Sequence, residues 1–219
     1  MITQKHGLIK TIVVLAATAA TWTAAYAQGQ VEIVYNNTSI SLQASYDSAL
    51  EFGDQVSLEG INRKLSSFQF EYNASLAPSP SKIGVVRMYA NDGPAGAPGT
   101  LIWETDQFSL ENGQGRISFE NITGVILPQN LTWSLVASGL NGGEKFGVQL
   151  YDPPSIGASA ADYWQKNAFG GWSLQVLNNA NGSTVANFGA RITAVPEPTT
   201  MVFAVVGGLA LLGYSRRKS

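Results

Sequence analysis

The chain has 219 residues and a net charge of −2; 45% of its residues are hydrophobic, 13% are charged and 23 are glycine. It holds no cysteine, which excludes disulfide scaffolds, thiolate metal centres and cysteine nucleophiles. Its one histidine, His6, falls in a segment expected to be removed, so the mature chain lacks an imidazole for a Ser-His-Asp triad, a zinc site or a general base.

Residues 1–27 read as a secretory signal peptide. Lys5 and Lys10 give a positive start, and Thr11 to Ala20 form an apolar run too short to span a bilayer. Ala25-Tyr26-Ala27 then places small residues where signal peptidase requires them, so the cut is expected before Gln28.

Residues 28–194 form the expected folded domain. The segment carries eight basic and fourteen acidic residues, a net charge of −6, and so has no electrostatic reason to bind nucleic acid. Apolar and polar residues alternate along 67–72, 116–120, 131–137, 146–150, 172–176 and 188–192, the pattern of antiparallel strands with one wet face. Turn clusters separate them, among them Asn91-Asp92-Gly93-Pro94, Glu111-Asn112-Gly113 and Asn141-Gly142-Gly143. No amphipathic helix with caps is legible. The expectation is an all-β domain, an antiparallel β-sandwich of jelly-roll-like form. Two loops read as long, Ala77 to Lys82 and Tyr151 to Ala161, and loops on a rigid sandwich are where ligands are met.

At the C-terminus, Val195-Pro196-Glu197-Pro198 breaks the pattern, because neither proline fits inside a helix. The uncharged run 199–215 that follows would span roughly 25 Å as a helix, near the minimum for a bilayer core. The basic tail 216–219 would stay cytoplasmic, leaving the domain outside. The order of Pro196-Glu197-Pro198, a Gly-containing transmembrane helix and Arg216-Arg217-Lys218 resembles the PEP-CTERM sorting signal of Gram-negative bacteria. That resemblance covers residues 195–219. It implies exosortase as a processing partner, passage through the inner membrane, and delivery to the envelope, surface or extracellular matrix of exopolysaccharide-producing cells. The stretches 52–56, 89–93 with 98–100, and 151–154 leading to 162–164 also look like uncharacterised PEP-CTERM ectodomains, a likeness that supplies no catalytic residue.

Within the domain, a hydrolase without His or Cys would need paired carboxylates. Most of the fourteen acids alternate on polar strand faces or sit in turns, so a non-enzymatic protein is expected. No cofactor is expected either. Calcium is the ion best suited to these ligands, through the oxygens of Asn91-Asp92-Gly93 or of Asp152 with Asp162, although turn chemistry alone accounts for Asn-Asp-Gly. Of the four mature tryptophans, Trp133 and Trp172 fall on apolar strand phases and are expected in the core. Trp103 is ambiguous, and Asp162, Tyr163 and Trp164 follow the long loop. These four residues are the candidates for stacking against and hydrogen-bonding a sugar, which would make the domain a carbohydrate-binding module for exopolysaccharide or other extracellular glycans.

Overall fold

The computed structural model describes residues 30–177 and 187–197. The expected signal peptide 1–27, Pro198, the apolar run 199–215 and Arg216, Arg217 and Lys218 lie outside the described residues. The chain divides into one unit spanning Val31–Ala194 and a second made of Met1–Gln30 with Val195–Ser219. Among the described residues no helix is long and apolar enough to cross a membrane.

The alternating runs become strands. In chain order they are β1 (Glu32–Asn36), β2 (Ser41–Asp47), β3 (Phe52–Ser57), β4 (Lys64–Ser75) and β5 (Ile83–Ala90). Then come β6 (Leu101–Glu104), β7 (Phe108–Ser109), β8 (Gly113–Phe119), β9 (Asn130–Ser138) and β10 (Lys145–Tyr151). The last are β11 (Ala158–Ser159), β12 (Tyr163–Lys166), β13 (Trp172–Gln175), β14 (Asn187–Phe188) and β15 (Ala190–Val195). A single 3-10 turn, Pro94–Gly96, is the only helical piece among the described residues.

These strands make two antiparallel sheets. The seven-stranded sheet runs β1-β15-β4-β10-β14, with β2 also on β10 and β8 on β4. The eight-stranded sheet runs β13-β12-β3-β9-β5-β6, with β11 on β3 and β7 on β5. Aromatic side chains meet between them: Trp133 of β9 lies 5.2 Å from Phe68 of β4, and Phe52 of β3 lies 5.4 Å from Phe188 of β14. Both are ring-centroid distances suited to tilted or edge packing. Trp133 is fully buried, as its strand phase requires.

Two expectations are corrected. Trp172 does not enter the core. It pairs with Lys166 at the sheet edge, on the same side of β13 as Leu174, which is half exposed. Alternation shows that residues share a face, but at an edge strand that face need not be the covered one. The run 188–192 is also not one strand, since Gly189 separates β14 from β15. Its N–H donates to Gln149 O (2.8 Å) in β10, and its carbonyl accepts from Glu71 N (2.9 Å) in β4. A Cβ there would sit 2.6 Å from the Tyr151 ring.

At Gly53 the neighbour that blocks a side chain is backbone. This residue lies on β3 between Trp164 of β12 and Ser134 of β9. A Cβ would come 2.3 Å from the Trp133 carbonyl oxygen and 2.8 Å from Ser134 Cβ. Both flanking strands are hydrogen-bonded in place, so neither yields cheaply. Gly53→Ala is expected to destabilise the protein by about 1–3 kcal/mol, read as a lower urea midpoint. An unchanged midpoint would contradict this packing.

Candidate functional site on the outer face of the eight-stranded sheet

Register decides which side chains share a face, because directly paired residues in antiparallel strands point the same way. Asp54, Trp133, Met88 and Trp103 are aligned across β3, β9, β5 and β6, and this row faces the other sheet. The next row, Trp164, Gly53, Ser134, Arg87 and Glu104, faces outward. Lys166 paired with Trp172, and Leu174 paired with Trp164, continue this outer face toward the β13 edge.

A carboxylate organises the outer face. Glu51, directly before β3, is only 7% exposed and accepts four hydrogen bonds. Its Oε1 takes them from Tyr89 Oη (2.9 Å) and Ser134 Oγ (2.8 Å), and its Oε2 from Arg87 Nη1 (2.9 Å) and Lys166 Nζ (3.2 Å). Arg87 Nε also pairs with Glu104. Two carboxylates thus meet two cations, and every oxygen of Glu51 is satisfied. Burial, followed by the Glu51 charge, pushes the Tyr89 hydroxyl well above the usual phenol range, so it remains a donor. Lys166 Nζ lies 5.2 Å from the Trp172 ring centroid and 5.7 Å from that of Tyr89, within cation–π reach, and the two rings meet edge to face at 5.5 Å.

A carboxylate whose oxygens already accept from four donors has no free lone pair aimed at a ligand. What the face offers a ligand is a half-buried indole beside a lysine and an arginine, with Leu174 exposed next to it.

The sequence candidates fall elsewhere. Tyr163 and Trp164 are each 6% exposed. Tyr163 Oη donates to Tyr46 Oη (2.8 Å) and Trp164 Nε1 to Gln55 Oε1 (3.1 Å), so neither forms the exposed stacking platform expected of them. Trp103 is partly buried and packs edge-on to Phe68 and Phe119, on the inner face. Asp162 is partly buried, and burial raises its carboxyl above the usual range. The structure therefore does not gather these four into one surface. Pro196 and Glu197 follow β15 without regular structure.

Asp92, a calcium candidate, is engaged as a turn clasp. It accepts from Thr100 N (2.7 Å) and Thr100 Oγ1 (2.6 Å), which lowers its carboxyl pKa. Among the described residues no group of three or more acidic or histidine side chains is arranged to hold a metal. The Ala77–Lys82 loop contains one Ser-x-x-Lys spacing, Ser79 to Lys82. There Lys82 is buried against Glu144 and the Ala77 carbonyl, while Ser79 Oγ pairs with Ser81 Oγ (2.8 Å), so the two do not form a nucleophile–base couple.

Sequence reasoning missed Glu51, Arg87, Tyr89 and Lys166. Lys166 lies 115 positions from Glu51, and no local spacing signals their meeting. No protein-family model, curated protein or solved structure matches this chain.

Proposed function

We propose that this is an exported, non-enzymatic envelope or extracellular-matrix protein, anchored through its C-terminal segment and processed at the PEP motif by an exosortase. In this reading residues 199–215 hold the chain in the inner membrane before processing, and the domain is then sorted to the surface or to an exopolysaccharide matrix. The jelly-roll-like reading of the sandwich belongs to the same proposal, supported by a chain that passes repeatedly between the two sheets.

The observation that carries it is the pairing of the first and last strands. Glu32 of β1 lies opposite Ala194 of β15. The expected cut before Gln28 and the tripeptide at 196–198 therefore both fall just outside one hydrogen-bonded ladder along the chain. Cleavage at either end leaves every described strand of the sheets in place. Replacing Glu197 or Pro198 by Ala is expected to leave unprocessed protein in the inner-membrane fraction. Unchanged release or surface display of either variant would contradict the proposal.

A second reading, a carbohydrate-binding module, is favoured by one feature: the Trp172 ledge beside Tyr89, Lys166 and Arg87 on the outer face. An aromatic flanked by charged donors suits a sugar ring. In this reading Trp172→Ala abolishes binding to a glycan panel while Trp103→Phe leaves it intact. Equal binding by the wild type and Trp172→Ala would remove it.

A further inference from the structure

Beneath the Tyr151–Ala161 loop lies a set of buried oxygen atoms that the outer face does not use. Asp54 occupies an inward position of β3, between the apolar Phe52 and Val56. Its Oδ1 accepts from Ser159 Oγ (2.7 Å) of β11, the short strand within the 151–161 segment, and its Oδ2 from Phe188 N (3.0 Å). Asn37 donates through Nδ2 to the carbonyls of Tyr151 (3.1 Å) and Phe188 (3.4 Å), and Asn187 donates to Asp152 Oδ1 (2.8 Å). Tyr35 Oη, Asn37 Oδ1 and Asn187 Oδ1 have no partner among the described residues. Tyr35, Asn37, Asp54 and Asn187 are at most 2% exposed.

The imbalance is specific. Asp54 forms no ion pair among the described residues, although every other strongly buried acid or base does. The unpaired amide oxygens are acceptors, and Phe188 N and Ser159 Oγ are already engaged with Asp54. Burial and then the Asp54 charge push the Tyr35 hydroxyl above its usual range, with Asn37, Ser159 and Asp152 also acting on it, so these groups share one electrostatic neighbourhood. A water could satisfy the orphaned acceptors, but an ionised Asp54 needs a proton or a cation to balance its charge. Buried charges in proteins are paired or coordinate metal.

We propose that this cluster binds one hard, oxygen-liganded metal cation, held by Asp54 with the side-chain oxygens of Asn37, Asn187 and Tyr35 and covered by the 151–161 loop. Carboxylate, amide and hydroxyl oxygens are the ligand set that calcium and the alkali cations accept. Asp54 alone balances a monovalent ion, and Asp54 together with Asp152 balances a divalent one. A proton on Asp54 competes with the cation, so binding strengthens as pH rises.

The test uses the full chain in detergent, stripped of metals, in a buffer whose only other cation is a large organic one. Unfolding temperature is measured with calcium, sodium, potassium or magnesium added, at about pH 6 and about pH 9. One of these ions is expected to raise the midpoint by about 5 °C, more at the higher pH. Equilibrium dialysis should give one bound ion per chain. Asp54→Asn and, as a second variant, Asn37→Ser are each expected to weaken binding about tenfold or more. Weakening of binding by Asp152→Asn identifies a divalent occupant, and its indifference a monovalent one. No shift with any cation, or a shift undiminished in both Asp54→Asn and Asn37→Ser, would overturn the proposal.

Discussion

Without added metal, stability is expected to fall as pH rises from about 4 to about 8, and Asp54→Asn to abolish most of that fall. Burial raises the Asp54 carboxyl to about 8, against which the bonds from Ser159 and Phe188 N act only in part, and the Asp162 charge adds to the rise. The unfolded value lies near 4, so between those limits the folded state holds a proton that the unfolded chain has released. The favourable contribution is complete below about pH 4, declines through the window and is gone above about pH 8. At about 1.4 kcal/mol per unit, the full loss is on the order of 5 kcal/mol, a large share of the typical stability of a domain. Glu144 acts in the opposite sense. Lys82 and the backbone donors of Asn141 and Ala77 hold its carboxyl down at about 2, so its contribution is lost as pH falls from about 4. Together these two place the optimum near pH 4–5, measurable by urea unfolding across the range. An Asp54→Asn variant with the wild-type slope would show that another group sets the dependence.

The second large effect is expected at Glu51. Glu51→Ala should cost about 3 kcal/mol, toward the lower end for breaking a buried ion pair. The substitution strips Lys166 of its only carboxylate partner among the described residues and leaves the buried Tyr89 Oη and Ser134 Oγ without their acceptor. Arg87 keeps Glu104, and Arg87 and Lys166 are 25% and 29% exposed, so water recovers part of the loss. A Glu51→Ala, Lys166→Ala double-mutant cycle isolates the pair, with an expected coupling of about 1–2 kcal/mol. If Glu51→Ala alone costs less than about 1 kcal/mol, the network is a surface decoration and not the organiser of the face.

These two acids mark where the sequence was legible and where it was not. Phe68, Phe70 and Tyr72 on β4, Leu131, Trp133 and Leu135 on β9, and Phe146, Val148 and Leu150 on β10 are buried on the phase that alternation assigns. Period two is sufficient wherever a strand has one dry face. It fails on β3, where Gly53 is required by close backbone approach and Asp54 sits among core residues. A carboxylate in an inward row reads as an outward one until its partners are seen. It fails again on β12 and β13. Tyr163 and Trp164 look like a ligand platform because they follow a loop, yet Tyr46 and Gln55 engage them, from 117 and 109 positions away. Trp172 reads as core from its phase, but its strand is the sheet edge. The candidate site depends on side chains joined across the sheet, and that information is carried by strand order, which local pattern does not encode.

The most direct measurement is intact-mass analysis of the protein recovered from the surface or matrix of an exosortase-bearing Gram-negative host. The account predicts a chain beginning at Gln28 and ending near Pro196–Pro198, with the 199–219 segment left behind. Recovery of the same protein carrying residues 199–219 intact, or its retention in the inner membrane at full length, would contradict it.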